Sequence, residues 1–260
     1  VIENISFKIE AGKVDALAGE NGAGKSTLCN IISGALKPTK GTLIYNEEEY
    51  SSFTISQAKE IGIKMVHQEL QVLPLMSISE NVFIGEEITS KGFVDTNSMR
   101  KRTKKLLTQV GLNIDPDSLL GNVDIAGRQL IEIARSLNNN ARLIILDEPT
   151  SSLTSNEISG FFDVVRRLRD KGVSFIFISH RMEEIFELSD EVIVLKDGAK
   201  VAQLITSETK ESEIINLMVG EATPIITIEK EHALAKRYLK LSTCLRKKRE
   251  FTEMPICPRI

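Results

Sequence analysis

The sequence predicts an α/β fold in which a mainly parallel core sheet is covered by helices on both faces. Segments typical of strands alternate with segments typical of helices along the 260 residues, as in successive βαβ units. Residues 143–146 form a run of four apolar side chains, the pattern of a strand that is buried on both faces. Apolar residues make up 42% and charged residues 27%, as in a globular chain of one or two domains.

The individual elements are predicted from local patterns. Short apolar runs indicate strands at 14–18, 63–67, 143–146, 173–178 and 192–195, and a hairpin-like pair around 42–45. Apolar residues three and four positions apart indicate helices at about 25–35, 96–111 and 127–138. Thr154 and Glu157 have the spacing of a capping box, so a further helix is expected there. Asp197 and Gly198 mark a turn before a strand at 199–205.

Composition argues against several classes of protein. The net charge is −3, with 33 basic and 36 acidic side chains, which argues against a generally basic nucleic-acid binder. No uninterrupted apolar stretch reaches the ~18 residues of a membrane-spanning helix. No signal peptide precedes the first strand-like segment, which fits a cytosolic protein. The three cysteines lack the spacing of a metal site or a disulfide framework, so we expect reduced thiols.

The strongest chemical signal is the segment 19–26, which matches the phosphate-loop pattern G-x-x-x-x-G-K-[ST] at every required position. It lies between a predicted strand and a predicted helix, which is the context that the motif requires. Its glycines let backbone N–H groups turn towards a polyanion, and the helix N-terminus adds unpaired donors. Lys25 would contact the β- and γ-phosphates, and the Ser26 hydroxyl would bind Mg²⁺. The predicted nucleotide-binding residues are Gly19, Glu20, Asn21, Gly22, Ala23, Gly24, Lys25, Ser26, Thr27 and Asp147.

Two carboxylates follow the apolar run 143–146 and supply what a Mg-nucleotide site needs. Asp147 would hold the water shell of the metal, and Glu148 would act as a general base on the attacking water. Gln68 and His180 each follow another predicted strand. Because ligands of open α/β sheets gather at the carboxyl ends of strands, we expect both side chains to face the γ-phosphate. The predicted catalytic residues are Glu148, His180 and Gln68, and the predicted metal ligands are Ser26, Gln68 and Asp147.

In this order, the motifs resemble those of the ATP-binding cassette of ABC transporters. Residues 19–26 resemble Walker A, Gln68 the Q-loop, Asp147 and Glu148 the Walker B motif with its catalytic glutamate, and 149–154 the D-loop. His180 resembles the switch histidine, and the resemblance covers about residues 1–222. It implies a P-loop NTPase fold, that of an ABC ATPase nucleotide-binding domain. This fold adds an antiparallel β subdomain and a helical subdomain, here at about 70–140, to the parallel core sheet.

Within that family, the chain is most similar to the first cassette of bacterial simple-sugar importers of the ribose, galactose and xylose type. The stretches that carry this similarity are 19–24, 66–70, 77–85, 147–154 and 178–186. The resemblance implies an ATPase, an ABC-type translocase, that uses ATP and Mg²⁺ to import a simple sugar. It also implies a head-to-tail pair of cassettes, permease subunits docking near residues 69–95 and an indirect link to a solute-binding protein. The chain would then lie at the cytoplasmic face of the cell membrane, held through the permease, and would bind no nucleic acid.

Two departures from the family pattern bear on activity. The family signature is usually Leu-Ser-x-Gly-Gln, and its counterpart here is Val123-Asp124-Ile125-Ala126-Gly127. Asp124 stands where a serine would donate to the γ-phosphate, and a carboxylate accepts but cannot donate. At ~4 Å and an effective dielectric of about 20, two such anions repel by roughly 4 kcal/mol. We therefore expect the composite site completed by residues 124–127 to hydrolyse ATP weakly. The aromatic residue that stacks on adenine, and the extreme N-terminal strand, would precede the first residue of this chain.

The last part of the chain differs in composition from the rest. Residues 224–260 contain nine Lys and Arg and four Asp and Glu, a charge of +5 against −8 for residues 1–223. A helix is indicated at 229–241, and no motif is present. We expect 223–260 to be an irregular basic tail, disordered or aberrant in place of a second cassette, for example after a frameshift. A basic arm for anionic lipid or nucleic acid is the alternative.

Alternatives to sugar import remain open at this level. The chain could serve a transporter for another solute such as a nucleoside, or be a truncated nucleotide-binding domain with little hydrolysis. A third alternative is a P-loop enzyme outside transport, such as a kinase, but Gln68, His180 and residues 148–150 count against it. Cassettes do not touch the solute, so no residue here identifies the sugar.

Overall fold

The computed structural model describes residues 2–3, 5–138 and 140–220, and the backbone of a strand at 238–243. The strands are β1 (Ile5–Glu10), β2 (Val14–Ala18), β3 (Thr42–Tyr45), β4 (Glu48–Tyr50), β5 (Ile63–Val66), β6 (Thr89–Ser90), β7 (Phe93–Val94), β8 (Leu143–Asp147), β9 (Ser174–Ile178), β10 (Glu191–Lys196), β11 (Ala199–Ile205) and β12 (Tyr238–Thr243). The helices are α1 (Lys25–Ile32), α2 (Ile55–Glu60), α3 (Ile78–Phe83), α4 (Thr96–Gln109), α5 (Ile125–Leu137), α6 (Ser155–Arg169), α7 (Met182–Leu188) and α8 (Glu211–Val219).

The central layer is a six-stranded sheet in the order β11-β10-β2-β9-β8-β5. The strands from β10 to β5 pair in parallel, and β11 joins the edge antiparallel to β10. The two central strands, β2 and β9, are buried along their whole length, and β8 beside them is buried except at its last residue, because both faces of the sheet are covered. This arrangement confirms the predicted α/β fold with a mainly parallel core sheet.

A second sheet of four strands has the order β1-β12-β3-β4 and is antiparallel throughout. Its inward side chains, Ile5, Phe7, Ile9 and Leu43, belong to the same apolar cluster as α1 and the near face of the central sheet. This sheet corresponds to the predicted antiparallel subdomain.

Strand β12 lies between β1 and β3, although it follows them by about two hundred residues in the chain. Residues 238–241 therefore form a strand where the sequence indicated the end of a helix over 229–241. They also give part of the predicted irregular tail a regular structure. The strand forms because β1 and β3 both offer unpaired backbone groups to it. The other residues of the tail lie outside the described residues, and the domain limits 1–222 and 223–260 stay predictions.

Helices α3, α4 and α5 pack on one another and lie within the range predicted for the helical subdomain. Their apolar side chains join those of α6 and of β8 and β9 in the largest hydrophobic cluster. This cluster covers the face of the central sheet opposite the antiparallel sheet, so the core sheet is the rigid layer between the two. No helix of the described residues combines the length and apolar character needed to cross a bilayer.

Candidate nucleotide site

The phosphate loop connects β2 to α1, at the carboxyl end of a central parallel strand. Helix α1 begins at Lys25, and no side chain caps its first N–H groups; no acidic residue occupies its first turn. Its N-terminus is therefore free to bind an anion. Gly24 has φ +100°, and a Cβ there would overlap the side chain of Ile2, so only glycine fits this position.

Lys25 arches back over the loop that precedes it. Its Nζ donates to the carbonyl oxygens of Gly19, at 2.7 Å, and of Glu20, at 3.0 Å. Partial burial lowers the pKa of Lys25, while the carboxylates of Glu148 and Asp147 oppose that shift. A polyphosphate beside this amine would favour its charged form in the same way. The amine thus lies within the loop, and its contact with phosphates stays a prediction of the loop pattern.

Asp147 is the last residue of β8 and points into the same region as Lys25. Burial raises the pKa of its carboxyl group, and Glu148 raises it further, whereas His67 and Lys25 act in the opposite direction. The group thus lies among polar side chains that follow β5, β2 and β8. These strands are parallel, so their carboxyl ends meet at one edge of the sheet.

The carboxylate of Glu148 is the point at which the predicted catalytic residues meet. Gln68 Nε2 donates to Glu148 Oε2 at 3.1 Å. His180 Nδ1 lies 3.4 Å from the other oxygen, Oε1. Each carboxylate oxygen is thus approached by one polar residue, and the two residues follow β5 and β9, the strands on either side of β8. The structure brings together Gln68, Glu148 and His180 as the order of motifs predicts.

The backbone of Glu148 is strained. Its φ is +45°, a region that side chains other than glycine rarely occupy. Its N–H donates to the carbonyl of Ile178 at the end of β9, at 3.1 Å, which ties the residue to the neighbouring strand. Such conformations persist where the surrounding structure enforces them, and they cluster at functional sites.

The carboxylate of Asp124 caps a helix within the signature-like segment. Asp124 is the N-cap of α5, and its Oδ1 accepts the N–H of Gly127 at 2.7 Å. Arg128 fastens the preceding turn by donating to the carbonyls of Val123 and Gly121, both at 2.8 Å. In the described part of the chain, no hydrogen bond or ion pair joins residues 124–127 to the phosphate loop. The role of Asp124, Ile125, Ala126 and Gly127 in a composite site stays a prediction.

A cleft of about 280 Å³ separates the core from the helical subdomain beside Gln68. Apolar and polar side chains from both sides line it, among them Ile55, Leu70, Gln71, Val82, Ile84 and Glu86. Lys64 on β5, nearly buried, reaches across to Glu86, with Nζ 3.4 Å from Oε1. Sequence reasoning missed this cleft because its walls come from segments far apart in the chain. It also missed His67, whose ring acts on Asp147.

The strand ends of this parallel sheet carry a phosphate loop, an aspartate and a hydrogen-bonded glutamate. This combination defines a P-loop nucleotide-binding domain. The family model described as ABC transporter matches residues 2–151, which is more than half of the chain. The chain belongs to the ABC transporter family.

Curated relatives agree with the resemblance read from the motifs. A ribose import ATP-binding protein of Bacillus cereus is 42% identical over 224 residues, which cover 85% of this chain and 45% of the relative. The corresponding protein of Bacillus subtilis is 42% identical over 221 residues, with 85% and 45% covered. A putative ribose/galactose/methyl galactoside import ATP-binding protein of Hahella chejuensis is 37% identical over 246 residues, covering 94% of this chain and 48% of the relative. The chain spans about half the length of these relatives, and the last alignment extends past residue 223.

Solved structures show the same fold. The ADP conformation of an ATP-binding cassette of an ABC transporter has a TM-score of 0.71 and 27% identity, covering 85% of this chain and 89% of that one. A dimeric post-hydrolysis state of another ATP-binding cassette, bound to ADP and Pi, has a TM-score of 0.66 and 25% identity, covering 79% and 90%. The predicted fold and family are thereby confirmed.

Proposed function

We propose that this chain binds and hydrolyses ATP and that the hydrolysis drives the import of a simple sugar, as part of a membrane transporter. The observation that carries the proposal is the Glu148 carboxylate, held by Gln68 and His180 beside a complete phosphate loop. The names of the relatives, ribose import ATP-binding proteins, support the sugar. The resemblance of the motifs supports coupling to transport.

Hydrolysis would proceed by in-line attack of water on the γ-phosphorus. Lys25 and the N-terminus of α1 would hold the phosphates and balance their charge. Glu148 would orient the water and accept its proton as the new oxygen–phosphorus bond forms and ADP leaves. Gln68 and His180 would keep both Glu148 oxygens in place, which fixes where the water can bind.

The site also has the donor set for Mg²⁺. The predicted ligands Ser26, Gln68 and Asp147 supply only oxygen donors, which magnesium prefers, and Mg²⁺ sites commonly combine one or two carboxylates with phosphate oxygens. In the ranges that the structure describes, no three His, Cys, Asp or Glu side chains form a metal site of their own. When bound, magnesium would neutralise charge that develops on the phosphates.

A second cassette is the proposed partner of the nucleotide site. The dimeric cassette structure and the double length of the curated relatives support a head-to-tail pair. In such a pair, residues 124–127 would complete the site of the other cassette. Asp124 there supports the second candidate function, a nucleotide-binding domain in which one of the two sites hydrolyses little.

The cleft beside Gln68 is the proposed docking site for permease subunits. Of the predicted docking segment 69–95, only residues up to Glu86 line the cleft, so the proposed docking surface is limited to these residues. Ile55 of α2 also lines the cleft and is added to that surface. A membrane-embedded partner seated here would contact both the core and the helical subdomain, next to a residue that touches Glu148. The chain would thereby be held at the cytoplasmic face of the membrane through the permease, and any solute-binding protein would be linked to it only through the permease.

The import proposal is tested in lipid vesicles containing a transporter assembled from this chain and the permease subunits that co-purify with it. We expect uptake of labelled ribose that depends on ATP and is lost with Glu148→Gln. Uptake that does not depend on ATP would contradict the proposal. So would an assembled transporter that hydrolyses ATP without moving any simple sugar.

Docking is tested by co-purification. Leu70→Asp places a charge in the cleft and is expected to release the permease subunits while the affinity for ATP stays unchanged. Val94→Asp is the matched control, since Val94 is exposed, lies within 69–95 and does not line the cleft. Loss of the permease with Val94→Asp but not with Leu70→Asp would place docking elsewhere.

A further inference from the structure

A buried carboxylate behind the candidate site links the two loops that carry Glu148 and His180. Glu184 lies on α7 and is only 3% exposed. Its Oε2 accepts the hydroxyl of Thr150 at 2.7 Å and the hydroxyl of Ser179 at 2.7 Å. Its Oε1 accepts from Arg181 Nη1, also at 2.7 Å. Three donors on one buried carboxylate form a fully engaged polar centre of the kind that rigidifies its surroundings.

The partners of Glu184 stand next to the reacting groups. Thr150 lies two residues after Glu148, at the start of the loop that follows β8. Ser179 directly precedes His180, and its oxygen also accepts the N–H of Arg181 at 3.1 Å. The Glu184 carboxylate thus connects the β8 loop to the β9 loop, and the same two loops also meet where His180 Nδ1 lies 3.4 Å from Glu148 Oε1.

This link explains how the strained backbone of Glu148 is kept in place. A φ of +45° at a glutamate is unfavourable and needs support from both sides. One support is the hydrogen bond from the Glu148 N–H to Ile178. The other is the anchoring of Thr150 through Glu184 to the loop that begins at Ser179.

We propose that Glu184 is a positioning residue for hydrolysis: through Thr150 and Ser179 it sets the placement of Glu148 relative to His180. The proposal rests on the proposed ATPase function and assigns it one further residue. Glu184 does not touch the phosphate loop, so its removal is expected to slow the chemical step and leave nucleotide binding intact. Misplacement of a catalytic group by a fraction of an ångström to an ångström is known to lower rates by up to about a hundredfold.

The first test compares the Glu184→Gln variant with the parent, both as full-length chains. Glutamine keeps the volume but turns one of the two accepting oxygens into a donor, so it cannot serve all three partners. We expect turnover of ATP to fall about tenfold or more, with the dissociation constant for ATP within twofold of the parent. Glu183→Gln, at the exposed neighbouring position, is the matched control and is expected to leave both quantities unchanged.

A second variant guards against a general loss of folding. Thr150→Val keeps the shape of the buried side chain and removes only the hydroxyl that Glu184 accepts, and Thr150→Ser restores a hydroxyl. We expect Val to lower turnover at unchanged ATP affinity and Ser to recover most of it. Equal turnover in the parent, Glu184→Gln and Thr150→Val overturns the role of Glu184.

The same variants separate this proposal from the proposed function. If the parent binds ATP without turnover, the proposed hydrolysis fails, and amide hydrogen exchange decides the fate of the Glu184 link. Faster exchange of residues 148–154 and 179–182 in Glu184→Gln, with the rest of the chain protected as in the parent, supports the link. Unchanged exchange of both loops overturns it.

Discussion

At the scale of single residues, function and stability make opposite demands on carboxylates. Glu148 and Glu184 are held by donors that serve the candidate site. Asp15 is as buried as Glu184, at 1% against 3% exposure, yet in the described residues its Oδ2 has no hydrogen-bond partner. It lies in β2, opposite Glu191 of β10, on the edge of the sheet away from the nucleotide. Such a group opposes folding in its charged form.

Because the carboxyl group of Asp15 is buried, we expect the stability of the fold to depend on pH. Burial raises its pKa well above the usual range, Glu191 raises it further, and Lys13 only partly compensates. The native state therefore holds a proton that the unfolded state releases near pH 4. Stability is lost as the pH rises from about 4 through the native pKa of Asp15, by about 1.4 kcal/mol per pH unit.

Substitution Asp15→Asn removes this titration. We expect the free energy of unfolding of Asp15→Asn, relative to the parent, to increase between pH 5 and pH 8, as measured by urea denaturation at each pH. A constant difference between the two proteins across this range would show that Asp15 is charged in the native state.

At the scale of elements, the ends of helices decide which chemistry a segment presents. The Asp124 carboxylate caps α5 by accepting the Gly127 N–H. The same residue stands where the family signature usually has a serine. An aspartate is as good a cap as a serine, but it cannot donate to a phosphate. Relative to a serine, Asp124 therefore preserves the cap of α5 but removes the hydroxyl that could donate to a phosphate.

Asp124→Ser is therefore expected to raise ATP hydrolysis at the composite site without loss of stability. Serine also caps helices well, so α5 stays intact. Relief of about 1.4 kcal/mol of the repulsion would speed the reaction about tenfold. Turnover is measured in the pair of cassettes; Asp124→Ala, which removes the charge and the cap together, is the control, and unchanged turnover in Asp124→Ser contradicts the account.

The bounds of individual helices and strands show how much of the fold could be predicted from the sequence. Strand β8 was predicted to within one residue, because a run of only four apolar residues, two of them β-branched, is the typical length and composition of a buried parallel strand. Helices α2, α3 and α7 were not predicted, because six or seven residues are too few for a helical period to appear. Helix α8, with nine residues, was also not predicted. The capping box of Ser77 and Glu80 was the local signal for α3.

The candidate site was more predictable than its support. Gln68, Glu148 and His180 converge because parallel strands end at one edge of a sheet, which motif order alone reveals. The Glu184 link, the Lys64–Glu86 pair across the cleft and strand β12 all join segments distant in sequence. No local pattern encodes such contacts, so only the folded arrangement could reveal them.

At the scale of the whole molecule, the chain after Gly220 contributes to the cassette itself. Strand β12 pairs with six residues of β1 and four of β3, so β1 is tied to the rest of the antiparallel sheet through it. The side chains that β1 places in the core, Ile5, Phe7 and Ile9, depend on this connection.

Truncation tests the contribution of β12. A chain that ends at Gly220 is expected to be less stable than one that ends at Thr243, by at least about 2 kcal/mol, because each lost backbone hydrogen bond contributes roughly 1 kcal/mol. Urea denaturation measures both, and the full chain is the reference. Equal stability of the two truncated chains would mean that β12 adds nothing to the fold.

The central claim, a nucleotide site in which Glu148 acts as the general base, is tested most directly by measuring ATP binding and steady-state hydrolysis in the parent and in Glu148→Gln. Glutamine keeps the size and one acceptor of the side chain but cannot take the proton of the attacking water. We expect the parent to turn over ATP with Mg²⁺ present, and Glu148→Gln to bind ATP equally well with no turnover. Turnover that survives in Glu148→Gln, or a parent chain that does not bind ATP, would contradict the account.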